Sequence, residues 1–123
     1  MSFDKREVRV YESAARTASP TASGIDAAYA RGVHVVIDVT AVAATPSVTP
    51  SIEGYDTLSG KWYTLLTGSA ITAEGTTVLK IYPGIATIAN AAASDVIPNR
   101  IRVSMTHADA DSITYTVAAH LMA

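Results

Sequence analysis

Side chains able to bind a metal are few in this chain, and one short run brings three of them together. His107, Asp109 and Asp111 occupy alternate positions, and alternate residues of a strand point to the same side. One imidazole and two carboxylates so placed would suit a divalent cation. The same run is typical of a solvated hairpin loop, in which Asp side chains cap backbone amides. We expect the loop and no metal site, because no second group of ligands completes the set.

The remaining patterns of catalytic residues fail on type or spacing. Gly54 and the Gly60-Lys61 pair are too far apart for a phosphate-binding loop, and no hydroxyl residue follows Lys61. The chain has no Gly-x-Ser-x-Gly motif, and it has no cysteine for a nucleophile or a thiolate zinc site. His34 and His120 lie inside predicted strands, a setting typical of packing or interface residues. We therefore expect no catalytic residue and no cofactor, and a protein that is not an enzyme.

Three aromatic residues, Tyr55, Trp62 and Tyr63, lie close together in the sequence on what reads as one hairpin. Neighbouring residues of a strand face opposite sides. Of Trp62 and Tyr63, one is therefore expected in the core and the other at the surface. An exposed aromatic ring can stack on a sugar or anchor a protein partner. An ordinary sandwich core with one surface tyrosine is the alternative interpretation.

The elements that would position these residues are predicted to be strands. The 123 residues suit a single domain, and Val, Ile and Thr contribute 12, 10 and 15 of them. Strong helix formers are scarce, with five Leu and four Glu. From Val33 to Thr40 apolar residues alternate with residues of the opposite face, the period of a half-buried strand.

The predicted fold is all-β: an antiparallel β-sandwich or jelly-roll-like barrel of about seven or eight short strands, with an extended N-terminal arm. Residues 32–123 are assigned to a single sandwich domain. Residues 85–98 are left open between helix and strand. Residues 1–31 are assigned to an arm or loop segment, because Ser, Thr, Ala and Gly dominate its second half. We expect interface contacts from the residues Val8, Val10, Tyr11, Tyr29 and Tyr63.

Charge and hydropathy restrict the classes of partner. The net charge is −2, whereas nucleic-acid binding normally requires a basic surplus. The N-terminus is too charged for the apolar segment of a signal peptide. Apolar runs are short, so no membrane helix is predicted. We expect a soluble chain made in a cytoplasm, with neither nucleic acid nor membrane among its partners.

An order of strands and turns between about residues 31 and 121 is set out by the residue ranges 31–42, 51–56, 59–67, 75–79, 82–84 and 100–115. This order resembles that of a group of small structural proteins of tailed bacteriophage and prophage virions. The resemblance is one of pattern and contains no catalytic motif.

The resemblance implies a head decoration, or cement, protein located in the virion and bound to the outside of the head. It implies the major capsid protein as partner and a symmetric homo-oligomer, for which a trimer on a local three-fold axis would match the lattice. An arm could add a strand to a neighbouring sheet. Two alternatives remain: a component of the tail or head–tail connector, and a carbohydrate-binding β-sandwich module.

Overall fold

The computed structural model describes residues 6–123, and every regular element in that range is a β-strand. Two of the nine strands described are only two residues long, and the other seven contain seven to eleven residues. The strands are β1 (Arg6–Arg16), β2 (Ile25–Asp26), β3 (Gly32–Val42), β4 (Val48–Asp56), β5 (Lys61–Thr67), β6 (Gly75–Ile81), β7 (Ala92–Ala93), β8 (Arg100–His107) and β9 (Ile113–Met122).

The strands form two sheets that pack face to face. The five-stranded sheet has the order β1-β9-β3-β6-β7, and the four-stranded sheet has the order β2-β8-β4-β5. Neighbouring strands are antiparallel, except that β7 runs parallel to β6. The predicted all-β antiparallel sandwich is confirmed. The strand count exceeds the predicted seven or eight because β2 and β7 are too short to leave a pattern in the sequence.

Strand β3 shows how the sequence produces the sandwich. Val33, Val35 and Ile37 have no exposed surface, while the alternate residues His34 and Val36 face outward and are half-buried. The strand is central, with β9 on one side and β6 on the other. In a strand whose apolar and polar residues alternate, one face packs on the core and the other faces solvent. The apolar alternation of β3 in the sequence predicted this arrangement.

The core between the sheets is apolar. Twenty-two buried residues form one cluster, and no charged or polar residue is buried among the residues described. Burial of one large aliphatic side chain contributes about 1.5–3 kcal/mol. The hydrophobic effect is therefore the dominant stabilising term, and the polar groups are left at the surfaces, edges and ends of the sandwich.

The segment predicted as an arm lies against the sandwich over the part that is described. Arg6–Arg16 form β1, which pairs with β9 at one edge of the five-stranded sheet. Residues 1–5 of the predicted arm lie outside the described residues. β1 belongs to the sheet because its apolar side chains are buried there: Val8 packs on the core, and Tyr11 is only 8% exposed.

The second half of the predicted arm runs along β8. The Ser19 hydroxyl accepts a hydrogen bond from the His107 amide at one end of β8 (2.9 Å). The Ala27 amide donates to the Asn99 carbonyl, just before the other end (2.7 Å). β2 pairs with β8 between these two contacts. This segment therefore covers the edge of β8 that β4 leaves free, although its composition is that of a loop.

Two local features differ from simple strand expectations. Residues 85–98, left open between helix and strand, contain only the two-residue strand β7 within an irregular connection. Pro50 lies inside β4, in the middle of the four-stranded sheet, whereas proline is normally confined to edge strands, strand ends and bulges. The proline is accommodated because the β4–β5 ladder begins only at Ser51, and Gly68 turns away at this point with its amide donating to the Pro50 carbonyl (2.8 Å).

Gly32, at the start of β3, provides a test of how closely β3 and β6 approach each other. A Cβ atom there would collide with the Ile81 carbonyl oxygen and the Tyr82 ring. Gly32→Ala should lower the free energy of unfolding by about 1–3 kcal/mol, because backbone must move to admit the methyl group. Urea denaturation followed by tryptophan fluorescence measures the change.

Gly24→Ala is the matched control for this substitution. A Cβ at Gly24 meets mainly the flexible stem of Arg100 at 3.0 Å, so its effect should stay within about 0.5 kcal/mol. Equal stability of the Gly32→Ala protein and the unsubstituted chain would contradict the close approach.

Candidate functional site

A cluster of one arginine and two tyrosines fixes the C-terminal end of β1. The Arg16 guanidinium lies 4.6 Å from the ring centre of Tyr115 and 5.5 Å from that of Tyr11. It also donates hydrogen bonds to the Tyr115 carbonyl (3.0 Å) and the Glu12 carbonyl (2.7 Å). A guanidinium with stacking and hydrogen-bonding partners is held in one geometry. The end of β1 is therefore a rigid edge. No pattern along the chain indicates this role of Arg16, because the role depends on contacts with β9.

Tyr11 crosses the sandwich from β1 to β8. Its hydroxyl donates to the Val103 carbonyl oxygen at 2.8 Å, its ring meets Tyr115 edge-on at 6.5 Å, and burial raises its pKa. Tyr11 was predicted as an interface residue, but the structure places it in the chain's own core. Its ring is not available to a partner in this fold. Val8 and Val10, predicted with it, are half-buried and pack on the same core.

His107, Asp109 and Asp111 do not converge on one point. The His107 Nε2 atom is 3.0 Å from the Tyr115 hydroxyl, the Asp109 carboxylate accepts from the Asp111 amide, and the Asp111 carboxylate accepts from Thr45. Burial lowers the pKa of His107 and raises that of Tyr115 to about 12. Between residues 6 and 123 the structure places no three His, Asp or Glu side chains in a metal-binding group. Asp109 therefore caps its own loop, and Asp111 ties that loop to the β3–β4 connection at Thr45.

His34 and His120 are neighbours on the outer face of the five-stranded sheet. They sit opposite each other in the β3–β9 ladder, Lys80 lies opposite His34 on β6, and Glu7 is 3.7 Å from His120. Burial, with the nearby Lys80 and His120, lowers the pKa of His34. The four side chains form a polar row across the outer face of the sheet, and the lowered pKa of His34 favours its neutral form near pH 7.

The aromatic hairpin residues lie on β4 and β5, and the expectation of one core residue there was wrong. Trp62 is half-buried on the outer face, 4.7 Å from Tyr55. The Arg102 guanidinium stacks on Trp62 at 4.3 Å and binds Glu53 at 2.7 Å. Tyr63 points to the opposite face and is 45% exposed. Both rings stay outside the apolar core because β5 is an edge strand with little of the other sheet above it.

The longest open edge in the described part of the chain is that of β1. Within residues 6–123 this strand pairs with β9 alone. Irregular pairing interrupts its middle, around Tyr11, and regular pairing resumes at Ala14 and Ala15. Both alanines are exposed. We call the segment Ala14–Arg16 the β1 edge. Its small side chains and fixed end suit the close approach of another backbone.

Tyr29 is the most exposed of the aromatic residues predicted to form an interface. Its side chain is 76% exposed, and its backbone has a φ of +70°. A bulky residue in this left-handed region is uncommon and carries local strain. Tyr29 lies in the turn after β2 and does not share a surface with the β1 edge. Of the five predicted interface residues, Tyr29 and Tyr63 remain exposed, and the three on β1 pack against the sandwich.

These observations define the chain as an antiparallel β-sandwich whose polar side chains lie on its surfaces and edges. No protein-family model matches the chain, and no curated protein matches it by sequence. Among solved structures it is similar to the SPBc2 prophage-derived protein YomS, with a TM-score of 0.59 and 12% sequence identity. The alignment covers 98% of this chain and 96% of that one. The two proteins share a fold over nearly their whole lengths. None of residues 6–123 forms a helix that is long and apolar enough to cross a membrane.

Tyr11→Phe tests the hydrogen bond that joins the two sheets. Loss of the hydroxyl should lower the free energy of unfolding by about 1 kcal/mol, because the partner carbonyl is buried. Tyr63→Phe is the matched control, since that ring is exposed, and its stability should stay within about 0.5 kcal/mol. Equilibrium urea unfolding compares the two. A Tyr11→Phe protein as stable as the control would show that the bond across the sandwich contributes nothing.

Proposed function

We propose that this chain is a structural protein of a tailed-phage virion and that it decorates the outer surface of the head. It binds the major capsid protein, acts without catalysis or a cofactor, and is made in the host cytoplasm before assembly. Support comes from the strand and turn pattern that resembles phage virion proteins. Further support comes from the full-length likeness of fold to a prophage-derived protein.

The observation that carries this proposal is the open β1 edge. An unpaired strand edge is a template for adding a strand from another chain. Other edges are shorter: β2 and β7 have two residues each, and β5 has seven against the eleven of β1. Side chains bond carbonyls on both long edges, Asn90 that of Thr67 on β5 (3.0 Å) and Arg16 those of Glu12 and Ala14 on β1. The β1 edge is held in place by Arg16, so a partner strand would meet an ordered surface and lose little entropy on binding.

The oligomer follows from the same edge. A capsid lattice offers local three-fold axes, and a decoration protein that sits on such an axis forms a closed trimer. In this arrangement β1 contacts either a neighbouring copy or the capsid subunit below it.

A component of the tail or the head–tail connector is the second candidate. Ring-stacking tail proteins contact one another through long hairpins. Residues 57–60 connect β4 to β5, and residues 108–112 connect β8 to β9. These short connections favour decoration of a surface over stacking in a tube.

Lysine substitutions on the β1 edge test the proposal. The double variant Ala14→Lys/Ala15→Lys should fold normally, since both side chains are exposed, and should lose binding to heads, since lysine blocks strand addition. Binding is measured by co-sedimentation of the purified chain with phage heads that lack it. Deletion of the first twenty residues would be a poorer test, because it would remove Tyr11 from the core.

The control variant carries two alanine-to-lysine changes elsewhere. Ala86→Lys/Ala89→Lys adds the same charge to the exposed connection between β6 and β7, at the opposite edge of the five-stranded sheet, and should bind heads like the unsubstituted chain. Retained binding by the β1 variant would refute the role of this edge. Loss of binding in both variants would show that added positive charge, rather than the edge, is responsible.

A further inference from the structure

One end of the sandwich contains a groove that the proposed decoration role does not use. It has a volume of about 730 Å³ and lies between the β4–β5 hairpin and the turn after β2. Side chains with binding chemistry line it: Asp26, Tyr55, Asp56, Tyr63, Asn99 and Arg100. Its volume falls in the range of small-molecule sites, about 300–1,000 Å³.

The aromatic wall of the groove is held in position. A Cβ atom on Gly54 would come within 2.9 Å of the Tyr63 ring and 2.7 Å of the Pro98 ring. Only glycine at position 54 therefore lets both rings pack closely over β4. Tyr63 is 45% exposed, so part of its ring is left uncovered at the groove. A fixed, half-exposed aromatic ring offers an apolar platform with little entropy to lose on binding.

The polar groups of the groove are oriented but retain bonding capacity. The Asp56 carboxylate accepts from the Leu58 amide (3.1 Å) and the Ser59 hydroxyl (2.7 Å), and these bonds lower its pKa. Asp26 accepts from the Ala28 amide (3.0 Å). An ionised carboxylate has about four acceptor positions, so each aspartate can accept further hydrogen bonds. The Arg100 guanidinium and the Asn99 amide supply donors.

The charge balance of the groove selects among ligands. Two carboxylates and one guanidinium line the groove, and the Arg6 guanidinium bonds the Asp26 carbonyl beside it. The lining itself has one negative charge in excess, which disfavours phosphate, carboxylate or sulfate groups on a ligand. Dense acceptors and donors beside one aromatic platform match a ring that has hydroxyl groups at its rim and C–H bonds on its face. That combination is the chemistry of a neutral sugar.

A strained turn borders the same groove. Tyr29, with its positive φ, directly follows the lining residue Ala28. On the hairpin side, Leu58 directly follows the lining residue Thr57 and is 97% exposed. Strained backbone positions concentrate at binding sites. On each of these two sides, the residue that follows a lining residue has an exposed side chain outside the sandwich core.

We propose that this groove binds a neutral saccharide, with Tyr63 stacking on a sugar ring and Asp26, Asp56, Asn99 and Arg100 bonding its hydroxyl groups. The groove lies at the Arg100 end of β8, whereas the Arg16 guanidinium binds Tyr115, which contacts His107 at the other end. A chain attached through its β1 edge would therefore keep the groove open. This site gives the particle a contact with a glycan in addition to its structural role.

The test uses the full-length ¹⁵N-labelled chain titrated separately with cellotetraose, maltotetraose, chitotetraose and the anionic trisaccharide of α2,8-linked sialic acid. At least one neutral tetrasaccharide should shift the backbone amides of Tyr63, Asn99 and Arg100 in a saturable way. The sialic acid trisaccharide should bind with a dissociation constant at least about tenfold higher, a difference of about 1.4 kcal/mol. Absence of shifts with all three neutral sugars, or shifts that map elsewhere, would overturn the proposal.

Variants then assign the binding to the groove. Tyr63→Ala should weaken affinity about tenfold, the effect of losing one stacked ring, while Tyr63→Phe should retain it. Ile88→Ala, an exposed residue beside β7, is the surface control and should bind normally.

A second variant protects the test against misfolding. If Tyr63→Ala does not fold, Arg100→Met is used in its place. Methionine keeps an apolar side chain over Gly24 and removes the guanidinium. The Arg100→Met protein should also bind saccharide more weakly. A folded variant of either kind that binds like the unsubstituted chain would contradict the site. Co-sedimentation with heads is a separate measurement, so failure of saccharide binding leaves the decoration role unaffected.

Discussion

The hydrogen bond from the Tyr11 hydroxyl to the Val103 carbonyl, with the Arg16 stack beside it, is the interaction on which the β1 edge and the proposed assembly depend. β1 is an edge strand that pairs on one side only and is interrupted around Tyr11. Pairing of that kind would fray on its own. Because Tyr11 reaches across to β8 and Arg16 closes over Tyr115, the strand is held at its middle and at its end. An ordered open edge results, and this edge is the basis of the proposed assembly contact.

How far the sequence could predict the structure depended on whether a feature was periodic. The alternation in β3 fixed the buried set Val33, Val35 and Ile37 and the outward position of His34, because a strand with two partners obeys a strict period of two. The place of residues 6–31 could not be predicted in the same way. Tyr11 is one apolar residue in an irregular strand, and its burial depends on a carbonyl 92 positions away. The edge position of β5, which leaves Trp62 and Tyr63 outside the core, is a property of strand order and has no signature along the chain.

The same distinction applies to the functional surfaces. The residue types and spacing of His107, Asp109 and Asp111 are those of a possible metal site, yet in the structure each side chain has a separate local partner. The groove at the hairpin end is built from three distant segments, around residues 26, 56 and 99. Tyr63 was identified from its type and its place on the hairpin. Its neighbours Asp26 and Arg100 become partners only because β2 pairs with β8 in a register of two residues. A binding site whose residues are brought together by strand order is thus the hardest kind to predict from a single sequence.

The proposal that the chain decorates a phage head is tested most directly by immuno-gold electron microscopy, with antibody to this chain, on tailed-phage particles whose genome encodes it. The account predicts gold label distributed evenly over the outer surface of intact heads. Label confined to the tail or neck would contradict decoration and favour the connector alternative. Particles without label would contradict a place in the virion altogether.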